Sequence, residues 1–368
     1  MKNVSKVYFT NMRANASENL LQKLNRLMKT AGMEQIDFTN KYAAIKMHFG
    51  EPGNLAFLRP NYAKVVADLV KEFGGKPFLT DCNTLYVGRR KDALEHLGSA
   101  AENGFSYAST GCHVIIGDGL KGTDEALVPI DGEYVKEAKI GQAVMDADVI
   151  ISLTHFKGHE ATGFGGALKN LGMGCGSRAG KVEMHSSGKL FVSPEECIGC
   201  SVCQKECAHS AITVSNKKAS IDPEKCIGCG RCFGRCPVDA IHNYYDESND
   251  ILNYKIAEYT HAVLKDRPHF HVSIVIDISP FCDCHSENDM PIAPDVGMFA
   301  SFDPVALDVA CADAVNKQPH MPGSYLDDKP HVHDDHFTDT HPNTNWKTGI
   351  AHAVKLGIGN EEYELINI

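Results

Sequence analysis

The sequence predicts an α/β fold, a mostly parallel sheet with flanking helices, that is interrupted by an inserted cysteine-rich module. Apolar, β-rich runs alternate with helical patterns in the first and last parts of the chain, which is typical of a parallel sheet. Eight of the 14 cysteines lie between Cys197 and Cys236. At roughly 150 residues per domain, the 368 residues suffice for about two domains. We predict an α/β domain over 1–187 and 246–368, with the insertion at 188–245.

Each predicted element before the insertion depends on a periodic run of apolar residues. Strands are predicted at 4–9, 43–48, 77–81 and 148–154. A first helix has apolar residues at helical spacing, and Ser17 and Gly32 are residue types suited to begin and end it. A second helix contains Val66 and Leu69 and ends at the glycines 74–75.

The same alternation resumes after the insertion. A helix containing Leu252 and Ile256 precedes strands at 270–278 and 296–299 and a helix at 304–315. The segment 320–341 is rich in His, Asp and Pro and has no period, which predicts a long loop. Its four spaced histidines are weak metal candidates by composition, and a solvated loop is favoured: His331, His333, His336 and His341.

Charge and hydropathy exclude several classes of partner. The chain has 47 acidic and 36 basic residues, a net charge of −11, and no Lys/Arg-rich stripe, which argues against nucleic acid. No apolar run approaches the roughly 18 residues that span a bilayer, and the first ten residues lack an apolar signal core. We therefore expect a cytoplasmic protein with no membrane partner, and the sequence does not predict its oligomeric state.

The cysteine cluster contains one spacing written twice. CIGCSVCQKEC begins at Cys197 and CIGCGRCFGRCP begins at Cys226, and each reads C-x2-C-x2-C-x3-C. This spacing is that of bacterial ferredoxins with two [4Fe-4S] clusters. In a reducing compartment such thiolates bind metal instead of forming disulfides. Zinc also binds C-x2-C pairs, but it rarely needs eight cysteines in this arrangement.

In this spacing three consecutive thiolates hold one cluster, and the fourth cysteine of the run reaches the other cluster. We expected that fourth cysteine to start a helix pointing the other way. The first predicted ligand set is Cys197, Cys200, Cys203 and Cys236, and the second is Cys226, Cys229, Cys232 and Cys207. The fold prediction is therefore an α/β domain with an inserted 2[4Fe-4S] ferredoxin-like module.

Polar side chains follow four predicted strands at their carboxyl ends. In open parallel sheets these ends meet at one edge, where ligands bind. The candidate groups at this edge are Lys46, His48, Glu51 and Asn54, then Asp81 and Asn83, then His155, Lys157 and His159, and finally Cys282 and Cys284. Each group alone is compatible with a solvated loop. The presence of all of them at one edge of the sheet predicts a binding site.

The loop at 154–176 is the richest in glycine. Gly163, Gly165 and Gly166 allow a ligand to approach the backbone, and Lys157, Lys169 and Asn170 add polar groups. The order is neither that of a P-loop nor that of a dinucleotide fingerprint. A helix starting near residue 167 would place Lys169 in its first turn, which favours a phosphate or carboxylate. We expect Lys169, His159, Lys46 and His48 to face one anion.

Cys282 and Cys284 in the string CDCH form a further pair. Two thiolates on a turn can bind one metal ion, with His285 or a distant histidine as a third ligand. The alternative is a redox or substrate-facing pair beside the pocket. The remaining cysteines Cys82, Cys112, Cys175 and Cys311 are expected to pack as small apolar residues.

Three strings resemble one protein family. IKMHFGEPGN at 45–54, TDCNTLY at 80–86 and the loop at 154–174 are similar to uncharacterised Fe–S centre proteins that contain the domain of unknown function 362. The resemblance extends to the inserted module and to SFDPVALD at 301–308, and it implies architecture more than activity. A local likeness connects His159, Gly163 to Gly166 and Lys169 with the nickel-pincer lactate racemases. Gly165 and Ala167 stand where that family has a Ser and a second Gly, so the resemblance does not assign the nickel-pincer cofactor to this chain.

Two functional hypotheses of different class follow. In the first, the protein is an oxidoreductase that passes electrons from its clusters to a small-molecule substrate or an organic cofactor, with His48, His155, His159 or Lys169 moving protons. In the second, it is an electron carrier whose α/β part docks a redox partner protein. A minor alternative is a racemase or isomerase with a pincer-type cofactor.

Overall fold

A computed structural model describes residues 4–85, 88–186, 188–244 and 248–368. The strands are β1 (Ser5–Asn11), β2 (Tyr42–Lys46), β3 (Lys76–Asp81), β4 (His113–Ile116), β5 (Glu125–Pro129), β6 (Glu137–Gly141), β7 (Val149–His155), β8 (Lys157–His159), β9 (Gly163–Gly165), β10 (Leu190–Val192), β11 (Ile212–Ser215), β12 (Lys218–Ile221), β13 (Ile241–Asn243), β14 (His269–Val275), β15 (Gly297–Ser301) and β16 (Tyr363–Asn367).

The helices are α1 (Leu20–Thr30), α2 (Pro60–Glu72), α3 (Ala93–Glu102), α4 (Tyr107–Thr110), α5 (Gln142–Met145), α6 (Ala167–Cys175), α7 (Arg178–His185), α8 (Val202–Glu206), α9 (Asn249–Leu264), α10 (Pro304–Asn316), α11 (His336–Thr340) and α12 (Trp346–Lys355). Single 3-10 turns lie at Met33–Gln35 and Phe233–Arg235. Within the described ranges, none of these helices has both the length and the apolar character that crossing a bilayer requires.

The core of the molecule is an eight-stranded, mostly parallel sheet in the order β16-β1-β15-β14-β7-β2-β3-β4. Every neighbouring pair is parallel except the two pairs that β15 makes. Strands from before and after the cysteine-rich segment belong to this one sheet, so the predicted α/β architecture is confirmed. Both faces are buried: Ile151 packs toward α1 and α2, and Ile150 packs toward α9.

The first helix begins later than the sequence indicated. Its N-cap is Asn19 instead of Ser17: the Asn19 side chain accepts a hydrogen bond from Gln22 N at 3.0 Å, and the Gln22 side chain accepts from Asn19 N at 2.9 Å. Ser17 instead bonds to Asn15. Asn19 is the N-cap because Gln22, three residues later, completes a reciprocal capping box with it.

The cysteine-rich segment forms two small antiparallel ladders of its own. β10 pairs with β13 near the ends of the segment, and β11 pairs with β12 between the two cysteine runs. The predicted junctions at 187/188 and 245/246 involve residues 187 and 245–247, which lie outside the described residues. Leu85 and Val182 of the α/β part share an apolar cluster with Cys232 and Phe233 of the segment, so the two parts pack directly together.

Candidate functional site

A cavity opens where β2, β3 and β7 end, as the strand-end argument predicted. The centre of a water-sized sphere can occupy ≈ 70 Å³ of this cavity. A single water molecule needs about 10–15 Å³ of such space, so a ligand of several non-hydrogen atoms fits. The predicted residues in its wall are Lys46, His48, Asp81, His155, Lys157, Gly165, Gly166, Lys169, Asn170, Cys282 and Cys284. Arg90, Lys181 and His185 also line it, although the sequence did not indicate them.

Lys46 is held by its own neighbours inside the protein. Its ammonium lies 3.0 Å from Asp81 Oδ1 and donates to Asn170 Oδ1 at 2.8 Å, and its side chain is only 1% exposed. Burial opposes ionisation of Asp81, but Lys46 and the other nearby cations hold its carboxyl pKa well below the usual range. Because Asp81 already neutralises the charge of Lys46, Lys46 contributes to the structure of the cavity wall and only weakly attracts an anion.

Arg90 provides the buried cation that the sequence analysis missed. Its Nε donates to Glu51 Oε2 at 2.7 Å, and its NH1 lies 2.8 Å from His48 Nε2. The remaining NH2 group is buried without a hydrogen-bond partner. A planar guanidinium with an unused donor in a cavity wall is suited to recognise a carboxylate or phosphate.

His48 is therefore an unsuitable proton carrier near neutral pH. The backbone N–H of Gly50 lies 3.0 Å from its Nδ1, while the guanidinium of Arg90 faces its Nε2. Burial and the Arg90 charge lower the pKa of His48 to about 3. The ring stays neutral and positions Arg90, in contrast to the predicted catalytic role.

His155 belongs to a buried charge network. Its Nδ1 lies 2.9 Å from Asp283 Oδ2 and its Nε2 lies 2.8 Å from the carbonyl of Ile276, so both nitrogens face acceptors. Lys157 lies 3.5 Å from the same Asp283 carboxylate. Burial opposes the charge on Asp283, but His155 and Lys157 keep its pKa well below the ordinary value. Both predicted cations are therefore engaged by one carboxylate.

Cys282 lies in the cavity wall as an activated thiol. The neighbouring Cys284 thiol and the charges of Lys169 and Lys157 hold the pKa of the Cys282 thiol well below its ordinary value, although burial opposes this shift. His159 accepts backbone N–H groups at Nδ1, at 3.0 and 3.2 Å, which leaves its proton on Nε2. Within the described part of the chain this Nε2 has no hydrogen-bond partner, and His159 does not itself line the cavity.

The amino terminus of α6 does not offer the anion site that the sequence predicted. The carboxylate of Asp308, on α10, accepts from Ala167 N at 2.6 Å and from Leu168 N at 2.9 Å. Gly166 leaves no room for a Cβ beside this carboxylate. The protein's own side chain therefore satisfies these donors, and Lys169 faces the cavity without their help.

Asp308→Asn should change how stability depends on pH. Burial raises the pKa of Asp308 to about 7, so the folded state binds this proton more tightly than the unfolded chain does. The resulting stabilisation is complete below about pH 4 and is lost as pH rises to about 7, at about 1.4 kcal/mol per pKa unit. The difference in urea midpoint between wild type and Asp308→Asn should shrink across that window, and a constant difference would contradict this assignment.

Four predicted ligand-binding residues lie outside the cavity wall and stabilise the loops that form it. Glu51 holds Arg90 and accepts from Arg89 N at 2.7 Å. Asn54 bonds to the carbonyl of His285, and Asn83 bonds to Asp118. Gly163 has a positive φ of 84° beside Trp346. These contacts position the loops instead of the ligand.

The eight clustered cysteines surround two further cavities. One cavity is lined by Cys197, Cys200, Cys203 and Cys236, and the other by Cys207, Cys226, Cys229 and Cys232. Backbone amides point at the sulfurs in both groups: Ala211 N lies 3.3 Å from Cys207 Sγ, and Ala240 N lies 3.2 Å from Cys236 Sγ. Grouped thiols with amide donors are suited to hold a metal cluster.

The fourth cysteine of each run follows a short helix and does not start one. Cys207 directly follows α8, and Cys236 follows the 3-10 turn Phe233–Arg235. These turns still direct each fourth cysteine into the cavity lined by the other run. The expectation about the helix was wrong because the helical turn forms before the fourth cysteine: Cys203 lies inside α8, and Cys232 caps the 3-10 turn.

The histidine-rich segment 320–341, predicted as a loop, contains the short helix α11 near its end, and its histidines make ordinary polar contacts. His333 bonds to Asp339, His336 bonds to the carbonyl of Gln318, and His341 bonds to that of Pro280. Among the described residues, His320, Asp327 and His331 lie close enough to share an ion at the surface, and Glu160, Cys284 and His285 do so near the cavity. His285 and Glu160 already pair at 3.0 Å.

Comparisons of the sequence with known proteins find one family and a partly matching relative. The family described as a domain of unknown function, DUF362, matches residues 43–313. A thylakoid-associated protein of Synechocystis sp. is 31% identical over 124 residues, 34% of this chain and 35% of that protein.

Two solved structures are also similar. One is the lactate racemase apoprotein of Thermoanaerobacterium thermosaccharolyticum, with 11% identity, a TM-score of 0.36, and 74% of this chain and 51% of that chain covered. The other, from Thermotoga maritima, has 14% identity and a TM-score of 0.41 and covers 81% and 59%. The matched part spans less than two thirds of each relative's length. With its family model matching most of the chain, this protein belongs to the DUF362 family.

Proposed function

We propose that this protein binds two [4Fe-4S] clusters and acts as an oxidoreductase on a small anionic substrate or organic cofactor in the cavity at the strand ends. The observation that supports this most is the grouping of eight thiols around two cavities, four to each. Such clusters supply single electrons at low potential when bound. The α/β domain then supplies the ligand site, which a simple carrier would not need.

The two cysteine groups differ in their surroundings. Cys200 in the first group is exposed to solvent. The second group lies against the buried Arg178, whose side chain fills the space beside Gly230 and Gly234. A buried cation stabilises added negative charge. We therefore assign electron entry to the first group and delivery to the second.

Packed side chains connect the second group with the ligand cavity. Leu85 packs in the apolar cluster with Cys232 and also lines the cavity. On α7, Val182 packs in that same cluster, while Lys181 and His185 line the cavity. Helix α7 and Leu85 thus connect the two sites through packed contacts.

Two alternatives remain distinguishable. An electron carrier would bind no small anion at the cavity, and a racemase would need no change in cluster oxidation state during turnover. Lys169 lines the cavity but His159 does not, so the positions of these two residues do not favour the second alternative.

Pairs of cysteine substitutions test the cluster assignment. Anaerobically purified protein should contain about eight iron atoms. If Cys207 serves the second group, Cys207→Ala with Cys229→Ala should still retain about four iron atoms, because both changes damage one cluster. Cys207→Ala with Cys203→Ala should retain almost none.

The opposite pattern would show that each run holds its own cluster. Stoichiometric zinc in the wild type would overturn the iron–sulfur proposal. Electron paramagnetic resonance of the dithionite-reduced protein distinguishes an intact second cluster from adventitious iron.

A further inference from the structure

We propose that Cys282 and Cys284 form a redox-active pair in the cavity wall. Small disulfides oxidise the two cysteines to a disulfide, and small dithiols reduce that disulfide to one thiolate and one thiol. The proposal goes beyond the iron–sulfur function, because it needs only these two side chains and their surroundings.

The backbone places the two cysteines on one tight turn. His285 N donates to the carbonyl of Cys282 at 3.1 Å, so Cys282 and Cys284 are the first and third residues of that turn. Both residues are buried, and both line the same cavity with a single residue between them. Neighbouring sulfurs at a cavity surface are positioned for exchange.

The charges around the pair favour a thiolate at Cys282. Lys169 and Lys157 line the same cavity as Cys282 and favour the ionised form of its thiol. The intervening Asp283 faces His155 at 2.9 Å and Lys157 at 3.5 Å, and Glu160 is paired with His285 at 3.0 Å. The carboxylates that would repel a thiolate are therefore each engaged by other side chains.

The chemical step balances without any other group. The Cys282 thiolate attacks a small disulfide, forms a mixed disulfide and releases one thiolate. Cys284 gives its proton to the thiolate released in the first step and attacks the Cys282 sulfur, which forms the Cys282–Cys284 bond and releases the second thiolate. A small dithiol reverses both steps, so two electrons and the corresponding protons are exchanged with the reagent.

The test uses the iron-loaded full chain, equilibrated anaerobically with mixtures of reduced and oxidised dithiothreitol. After acid quenching and alkylation, mass spectrometry of the peptide containing both cysteines should show a two-hydrogen loss that grows as the mixture becomes more oxidising. Cys282→Ser and Cys284→Ser should each abolish that species. Cys82→Ser, a buried cysteine in the same cavity wall whose thiol pKa is raised by burial, is the matched control.

A second measurement keeps the proposal falsifiable if the disulfide is strained. At about pH 6, iodoacetamide should alkylate Cys282 at least about 10-fold faster than Cys284, and Lys169→Met should slow that reaction several-fold. Two alkylated cysteines at every redox ratio, or a tightly bound zinc ion that protects both, would overturn the proposal. Iron content is measured on the same samples, so loss of the clusters is recognised separately.

Discussion

Arg90→Gln should strongly weaken anion binding in the cavity while the fold and the iron content survive. The guanidinium is 1% exposed, two of its nitrogens are held by Glu51 and His48, and its NH2 is left for a ligand. A charge-assisted hydrogen bond in such a site is worth about 1.5–3 kcal/mol, so the dissociation constant of a small anion should rise about 100-fold. Calorimetry with oxalate and with inorganic phosphate measures this, and shows which kind of anion is preferred.

The neighbouring Arg89 is the matched control. It lies at the surface and pairs with Glu95 at 3.0 Å and with Glu102. Arg89→Gln should leave anion binding unchanged. Arg90→Lys should weaken anion binding, because an ammonium lacks the planar set of N–H donors of a guanidinium. If the wild type binds neither oxalate nor phosphate, the cavity is not an anion site and the electron-carrier alternative is favoured.

Sequence reasoning located the wall of this cavity because strand ends are a local signal. Lys46, Asp81 and His155 each end an apolar run, and the parallel topology brings those ends to one edge. Arg90 carried no such signal, since it lies in a short basic loop outside any helix or strand. Its burial depends on Glu51, which is 39 positions earlier in the chain.

The same limit explains the misplaced anion site at α6. The glycine-rich approach to that helix was read correctly, and α6 begins at Ala167 as expected. The group that fills the helix end is Asp308, 141 positions later, and only the packing of α10 against α6 brings it there. Local patterns predict which backbone donors are exposed by a turn, but not which distant side chain satisfies them.

Proton-transfer roles were the least predictable feature. A histidine after a strand is a fair candidate for acid–base chemistry, yet its partners decide the outcome. His48 faces two donors and is kept neutral, whereas both nitrogens of His155 face acceptors. The cysteine sets were more predictable, because the ferredoxin spacing predicts that the fourth cysteine of each run joins the other run, and the two cavities are lined in that way.

Asp81→Asn should destabilise the folded protein by about 3–5 kcal/mol, because it leaves the buried Lys46 without its counter-ion. Since the folded pKa of Asp81 is lowered, its contribution is present above about pH 4 and is lost as pH falls through the folded value. Anaerobic urea unfolding followed by circular dichroism should show the largest difference from wild type near neutral pH.

Adding Lys46→Met to that variant separates the pair from its surroundings. The double variant has no unpaired ammonium, so it should recover part of the lost stability. Recovery should be incomplete, because Arg90 also lies 3.9 Å from the carboxylate of Asp81 and keeps its own charge. Strictly additive effects of the two substitutions would show that Lys46 and Asp81 are not coupled, and the cavity wall would then be stabilised mainly by Arg90 and Glu51.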